Sequence, residues 1–596
     1  MNLTDTALGT LVCFACISLF LLIQHELHIG SGEIVIPLVG GKEGLRGGSS
    51  AAANAQVDTI LTREEKARAA EKAKADEEQR KGKRREDAAT RRQHIEELER
   101  KRLAAGGKEM PHAKISKGEV GEVKQGKLVC GGKEIKSEIV YWREVPGDAE
   151  YESPITPHHG LHHDRYLTFE YDQGGWNNAR MGIECLIVVA HAMGRTLVVP
   201  PQQHLYLLGK THKDQEDNKA HDEMGFEDFF DLELLYSHRG FHVMHMEDFL
   251  AKEGVTGGLH GKLPPHNSTE AWGPALWGYL DKVADYAPEW MGKFLAMPKS
   301  AGDWNMSTAH RDPKVAARMR EFENGRQPVF YDDVMQAAHH IHFPADHAHR
   351  LLQHHYAFAF FADPYQQSFY KRFVRDYMRY KDSIQCSGHE LLQLVRADAL
   401  ASAPEFGGDF YALHVRRGDF QFKEVKIGAA DMVKNLLLPN GTSLIPRGAL
   451  VYLSTDDPEG KCEHCVALKK PCESYAPGSK PVGCPEDTSW KAFTEAGWKV
   501  RFLHDYQRKG ALKGVNPNLL GMVETIVCSR AKVFAGTYFS TFTGYIHRLR
   551  GYHGLGEATY YHSKQFRDHL QMKKSCGSGF SREWRAGWVD DEGGLI

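Results

Sequence analysis

Three short stretches of this chain concentrate residues that could do chemistry. In "YALHVRRGDF", Tyr411 to Phe420, an apolar run ends in His414, Arg416, Arg417 and Asp419. A guanidinium donates two parallel hydrogen bonds from one planar fork, which fits a phosphate or a carboxylate. Taken alone, the arginine pair reads either as a structural ion pair or as an anion site. In "VFAGTYFSTFTGYIHRLRGY", Val533 to Tyr552, a Gly-Thr turn leads into a helical pattern carrying Thr537, Ser540, Thr541 and Thr543. Free N–H groups at a helix start favour an anion and hydroxyls add donors; simple N-capping is the plainer role. In "GGWNNAR", Gly174 to Arg180, a glycine turn supplies Asn177 and Asn178.

The elements around these stretches must bring them together. Apolar patterning predicts a helix from about Arg180 to Met193, closed by Gly194. "TLVVP" after it reads as a short buried strand, and "GFHVMHM" and "QPVFYDD" are strand-like. Residues 345–398 read as helical. Beyond Phe406, strands are expected at Phe410–Val415, Leu450–Ser454, Val500–Leu503 and Lys532–Ala535, with a helix from Asn518 to Ser529. Strand-helix alternation predicts parallel α/β sheets, here two lobes with a cleft between them. Ligands of open α/β sheets bind at the carboxyl ends of the strands, where His414 and Arg416 fall.

Composition narrows the class. Over 596 residues the net charge is −3, which does not suggest a nucleic-acid binder. The 33 histidines are scattered rather than clustered like metal ligands. Ala7 to Ile23 carries no charge, and its length sits at the short end of a bilayer span; it reads as an uncleaved anchor rather than a cleaved signal. A Gly/Ser/Ala-rich linker follows, then a charged segment from Thr62 to Arg102 that predicts a solvated helical stalk without a coiled-coil seam. Asn267, Asn305 and Asn440 open glycosylation sequons, and nine cysteines follow the apolar run, both suited to an oxidising lumen. Cys462, Cys465, Cys472 and Cys484 are expected to form disulfides, with zinc as the alternative and the pairing open.

"GGWNNAR…LVVP", "LHVRRGDF", "VYLSTDD" and "VFAGTYFSTFTGYIHRLRGY", in that order, resemble the GDP-fucose protein O-fucosyltransferases and their plant and algal relatives. The resemblance implies a GT-B fold: an α/β chain of two Rossmann-like lobes with an interlobe cleft, behind the transmembrane helix and stalk. Expected boundaries are 1–25 for the anchor, 26–136 for linker and stalk, 137–405 for the acceptor-side lobe, 406–575 for the donor lobe and 576–596 for a tail. It implies inverting transfer of fucose from GDP-fucose to a protein Ser/Thr or glycan hydroxyl, with no metal and no cofactor, in the Golgi or endoplasmic reticulum lumen. Partners are then GDP-fucose, the acceptor and the membrane, and no nucleic acid.

Carried over by motif, His414 and Arg416 contact the diphosphate, and Arg416 stabilises the charge on the leaving group. Ser540, Thr541 and Phe542 match the family's phosphate-binding helix start, Glu524 its acidic nucleotide contact, and Asn177 an asparagine facing the reaction centre. The general base stays open. Some relatives have a glutamate where this chain has Gly174. Glu424, ten residues after His414, is one candidate; Asp419 is another, unless it orients Arg416 or Arg417; a mechanism without a protein base is the third. Asp456-Asp457 reads as a turn cap rather than a metal motif. Two rival functions are a non-catalytic nucleotide-sugar-binding scaffold and a transferase using another nucleotide sugar.

Overall fold

Continuous Val, Ile, Leu and Phe runs suit strands buried on both faces, the usual state of parallel strands covered by helices. The computed structural model bears this out. It describes residues 124–562 apart from stretches chiefly at 157–161, 209–222, 265–273, 301–311 and 462–486 and some single positions. The expected anchor, the stalk, the sequons at Asn267 and Asn305, the cysteine insert and the tail lie outside the described residues, as do Asp419 and Glu424. Among the described residues no helix is long and apolar enough to cross a membrane.

In chain order the strands of the parallel sheets are β1 (His162–Phe169), β2 (Arg195–Val199), β3 (Val243–His245), β4 (Lys293–Met297), β5 (Gln327–Phe330), β6 (His340–Phe343), β7 (Ala359–Phe361), β8 (Tyr411–Val415), β9 (Leu450–Thr455), β10 (Lys499–Arg501), β11 (Phe534–Gly536) and β12 (Ala558–Tyr560). They form an N-terminal sheet β6-β1-β2-β3, a second sheet β7-β4-β5, and a C-terminal sheet β10-β9-β8-β11-β12. Every pairing within them is parallel. The strand order of the C-terminal sheet reverses direction between β8 and β11, the kind of position at which open α/β sheets take ligands in a crevice outside the strands' carboxyl ends.

Five helices matter for the site: α1 (Trp176–Met193), α2 (Pro364–Tyr377), α3 (Asp382–Ser402), α4 (Leu520–Ser529) and α5 (Thr541–Tyr552). α1 begins four residues earlier than its apolar pattern suggests, because Gly175 already takes the extended N-cap conformation. It ends as expected at Gly194, left-handed at φ 64°. The stretch expected to be helical between Ala345 and Asp398 is instead broken by β7: Ala359, Phe360 and Phe361 pair with Leu295, Ala296 and Met297 of β4. A short apolar run does not distinguish a buried strand from a helix, and its partner β4 lies more than sixty residues upstream in the chain.

One apolar core runs through both halves. It joins Leu167, Phe169 and the inner face of α1 to Val395 of α3, Ile526 of α4, Ala412, Tyr452 and Leu549. The other face of the C-terminal sheet, Leu413, Val415, Val451 and Leu453, packs on Met432, Leu436, Phe493 and Trp498. Each such side chain, fully buried, contributes about 1.5–3 kcal/mol. Gly388 of α3 faces Ile526 of α4 so closely that a Cβ would lie 2.8 Å from Ile526 Cγ2. A disulfide, Cys130–Cys386, ties the hairpin Leu128–Cys130/Lys133–Ile135 to α3. Cys185 and Cys528 are buried thiols.

Candidate active site

β8 is the central strand of the C-terminal sheet, and its alternation turns Leu413 and Val415 into the core, leaving His414 between them. His414 shares a 2.7 Å hydrogen bond between its Nδ1 and Thr543 Oγ1 of α5, and its ring stacks on Phe542 at 4.5 Å. Burial, with Arg416 and His547 nearby, pulls its pKa down to about 3, so the imidazole is neutral at physiological pH. A neutral ring so held positions its surroundings without adding charge.

Past the strand end the chain meets the loop from β11. The Arg416 N–H donates to Thr537 Oγ1 at 2.9 Å, and Thr537 Oγ1 in turn lies 3.0 Å from the His414 carbonyl and 2.7 Å from the Tyr561 hydroxyl. The two sequence motifs are thereby joined at the crevice between β8 and β11. Gly536 permits it: a Cβ there would sit 2.4 Å from Thr543 Cγ2. Phe539, three residues on, is held at φ 66°, a strained value for a bulky side chain. Its ring stacks on Phe422 at 4.4 Å, within a small apolar cluster with Val425, Tyr538 and Tyr560. Such strain, compensated by packing, concentrates at ligand-binding turns.

The loop delivers Ser540 as the N-cap residue of α5. Its side chain makes no capping hydrogen bond, so the plain capping role is not realised. Thr543, in contrast, is committed to His414.

The arginine pair divides its work. Arg416 remains partly open, at 22% exposure, and donates from Nη1 to Asp456 Oδ2 at 2.7 Å. Arg417 is fully buried, donates to Asp457 Oδ2 at 3.2 Å and to the Thr488 and Ile427 carbonyls, and lies 3.8 Å over the Trp490 ring. The expectation of a structural ion pair therefore holds for Arg417, while Arg416 faces the crevice end of the sheet. Asp457 also caps a turn, as expected, accepting from the Lys461 N–H at 2.8 Å. Sequence reasoning missed that Asp456 and Asp457 hold the two arginines, a task assigned as one option to Asp419. The signal was present: "STDD" ends the strand beside β8, and parallel neighbours in register put His414 opposite Ser454.

Glu524 of α4 is turned inward rather than solvated. The Tyr452 hydroxyl donates to its Oε1 at 2.9 Å, and burial pushes its pKa up to about 7 against the hydrogen bonds from Tyr452 and Ser454. Asn177 lies buried in the first turn of α1, and α1 packs on α5. At Gly174 a Cβ would lie 2.4 Å from Asn178 Nδ2 and 2.8 Å from Asp172 Oδ1, so a side chain there would have to displace those two groups. Asp172 is held by a bidentate pair from Arg350, both contacts 2.8 Å.

Solved structures of POFUT1 in complex with GDP-fucose are similar to this chain at 14% identity, covering 67% of it and 99% of that chain, with a TM-score of 0.31. The NodZ α-1,6-fucosyltransferase soaked with GDP-fucose is similar at 12% identity over 65% of this chain and 92% of that one, TM-score 0.29, and NodZ from Bradyrhizobium gives 12%, 65%, 93% and 0.27. No curated protein matches the chain. Residues 166–434 match the model described as GDP-fucose protein O-fucosyltransferase, a segment that contains both Asn177 and the His414–Arg416 strand end. Over that segment the chain is similar to the GDP-fucose protein O-fucosyltransferases.

Proposed function

We propose that the protein transfers fucose from GDP-fucose to an acceptor hydroxyl with inversion, within a two-lobed GT-B architecture, and that the diphosphate sits in the crevice between β8 and β11. The observation that carries this reading is the 2.9 Å bond from the Arg416 N–H to Thr537 Oγ1, which joins the arginine motif to the turn before α5. Arg416 then neutralises the charge that grows on the departing diphosphate, and the Ser540 hydroxyl with the first-turn N–H groups of Thr541 and Phe542 receives its oxygens. Glu524 receives the nucleotide base. Asn177 meets the sugar from the other half.

Metal-independent transfer is supported by the engagement of Asp456 and Asp457 with Arg416 and Arg417. The general base is Glu424 or Asp419, both outside the described residues, or the reaction proceeds without a protein base. The Cys130–Cys386 disulfide and the exposed Asn440 sequon support a lumenal location, with the N-terminal apolar run as anchor. The acceptor is a protein Ser/Thr or a glycan hydroxyl.

The scaffold reading draws on one observation, that Gly174 stands where some relatives have a glutamate. GDP-fucose hydrolysis and transfer, measured on the full chain with Arg416→Ala beside it, separate the two. Turnover that disappears in the variant supports transfer. GDP binding without turnover on any acceptor supports the scaffold. Competition among nucleotide sugars in a thermal-shift assay tests the choice of donor.

A further inference from the structure

α1 and α5 both begin at the proposed site and meet again behind it. α1 opens with Asn177 in its first turn; Arg180 follows one turn on and Glu184 two. α5 opens at the diphosphate turn and carries Arg548 two turns on. Arg548 Nη1 donates to Glu184 Oε2, and Arg548 Nη2 lies 2.6 Å from His354 Nδ1. Arg180 Nε donates to Glu184 Oε1 at 2.9 Å, and His355 Nδ1 lies 3.8 Å from Glu184 Oε2. Aromatic rings close the cluster: Arg180 sits 4.1 Å over Tyr545 and 4.6 Å over Tyr380, and Arg548 4.5 Å over Tyr545. Glu184 and Arg548 are wholly buried and Arg180 nearly so. Burial alone would raise the Glu184 carboxyl; Arg548, His355 and Arg180 outweigh it and hold the group well below the ordinary carboxylate range.

A buried ion network is a poor source of stability, because well-packed apolar residues often do as well or better. What it supplies is register. Glu184 is satisfied only when a guanidinium of its own helix and one from α5 both reach it, which fixes α1 against α5 in rotation and along their axes. The donor-side groups, Arg416, Thr537 and Ser540, all belong to the C-terminal sheet and its loops, whereas Asn177 comes from the N-terminal side. The network is therefore placed to set how the two meet. We propose that Glu184 and Arg548 are positioning residues that fix the Asn177 turn against the diphosphate turn, so that breaking them impairs transfer and spares nucleotide binding. This rests on the reading of the site as a GDP-sugar transferase site.

The test uses the full chain and reads GDP affinity by calorimetry beside the kcat and KM of transfer from GDP-fucose. Glu184→Gln keeps shape and loses charge; Arg548→Lys keeps charge and loses the fork. The expected result is GDP affinity within about twofold of wild type and kcat lower on the order of 10–100-fold, the scale of a misplacement near 1 Å. Variants that keep wild-type transfer, or that lose GDP affinity and transfer in parallel, overturn the positioning role. Wild type that binds no GDP overturns the site reading itself. Should the single variants fail to fold, the triple variant Arg180→Met, Glu184→Leu, Arg548→Met removes all three charges together. Low transfer with intact GDP affinity in that variant supports the role of register; full wild-type transfer overturns it.

Discussion

Asp456 holds both arginines of the motif at once: its Oδ2 accepts from the Arg416 guanidinium at 2.7 Å and its Oδ1 from the Arg417 N–H at 2.8 Å. One carboxylate thus sets the direction of Arg416 by gripping the side chain and the next backbone amide together. It is also an anion that the Arg416 guanidinium already contacts.

Asp456→Asn keeps the shape and removes the charge. GDP affinity is expected to stay level or rise, because the guanidinium loses a competing anion, while kcat falls about tenfold as its aim loosens. A calorimetric GDP titration beside steady-state kinetics reads both numbers; loss of GDP affinity contradicts this account.

Arg416→Ala is expected to lower kcat for GDP-fucose turnover on the order of 100-fold or more, the scale for removing one preorganised donor from developing charge. Arg416→Lys, which keeps the charge but not the fork, should fall between. Equal activity of all three proteins would remove Arg416 from the reaction.

Ser540→Ala separates capping from ligand binding. An N-cap hydroxyl lost from a working cap costs about 1 kcal/mol, whereas Ser540 makes no capping bond. The melting temperature is expected to change little, and donor KM to rise. A clear fall in melting temperature with unchanged KM would restore the plain cap.

Glu524 carries a pH signature. Its folded pKa is raised to about 7 by burial, above the value near 4.3 of an unfolded chain, so the folded state holds the extra proton. Its contribution to stability is present below the unfolded value and is lost as pH rises through about 7. The stability advantage of wild type over Glu524→Gln should therefore shrink between pH 5 and pH 8 in thermal melts. GDP affinity should rise over the same range in wild type, as the carboxylate becomes an acceptor for base N–H groups, and stay flat in the variant.

Cys386→Ser opens the Cys130–Cys386 link, which spans 256 residues of sequence. A native disulfide closing a long loop contributes about 2–4 kcal/mol. The variant should melt several degrees lower and bind GDP as wild type does, since neither cysteine touches the crevice groups. Melts with and without reductant check the first statement and calorimetry the second.

Much of this was readable from local pattern. β8, β9 and β11 were found within a residue or two because their apolar runs end at charged or glycine-rich turns, and His414, Arg416 and Ser540 lay at those ends. β1, β4, β6, β7 and β12 were not found. Ala359–Phe361 owes its extended form to Leu295–Met297 far upstream, and no local spacing encodes that partner. The contacts of Asp456 and Glu184 were hidden for the same reason: each depends on which strand or helix lies alongside. The inward turn of Glu524 is likewise not encoded locally, since it comes from Tyr452 on the neighbouring strand.

The shared core has a practical side. Side chains from α1, α3, α4 and the C-terminal sheet interleave in one apolar cluster that draws on residues from both sides of Phe406. A chimera that grafted a relative's acceptor-side half onto this donor-side half would need to match that whole internal face, not merely the crevice, before its specificity could change.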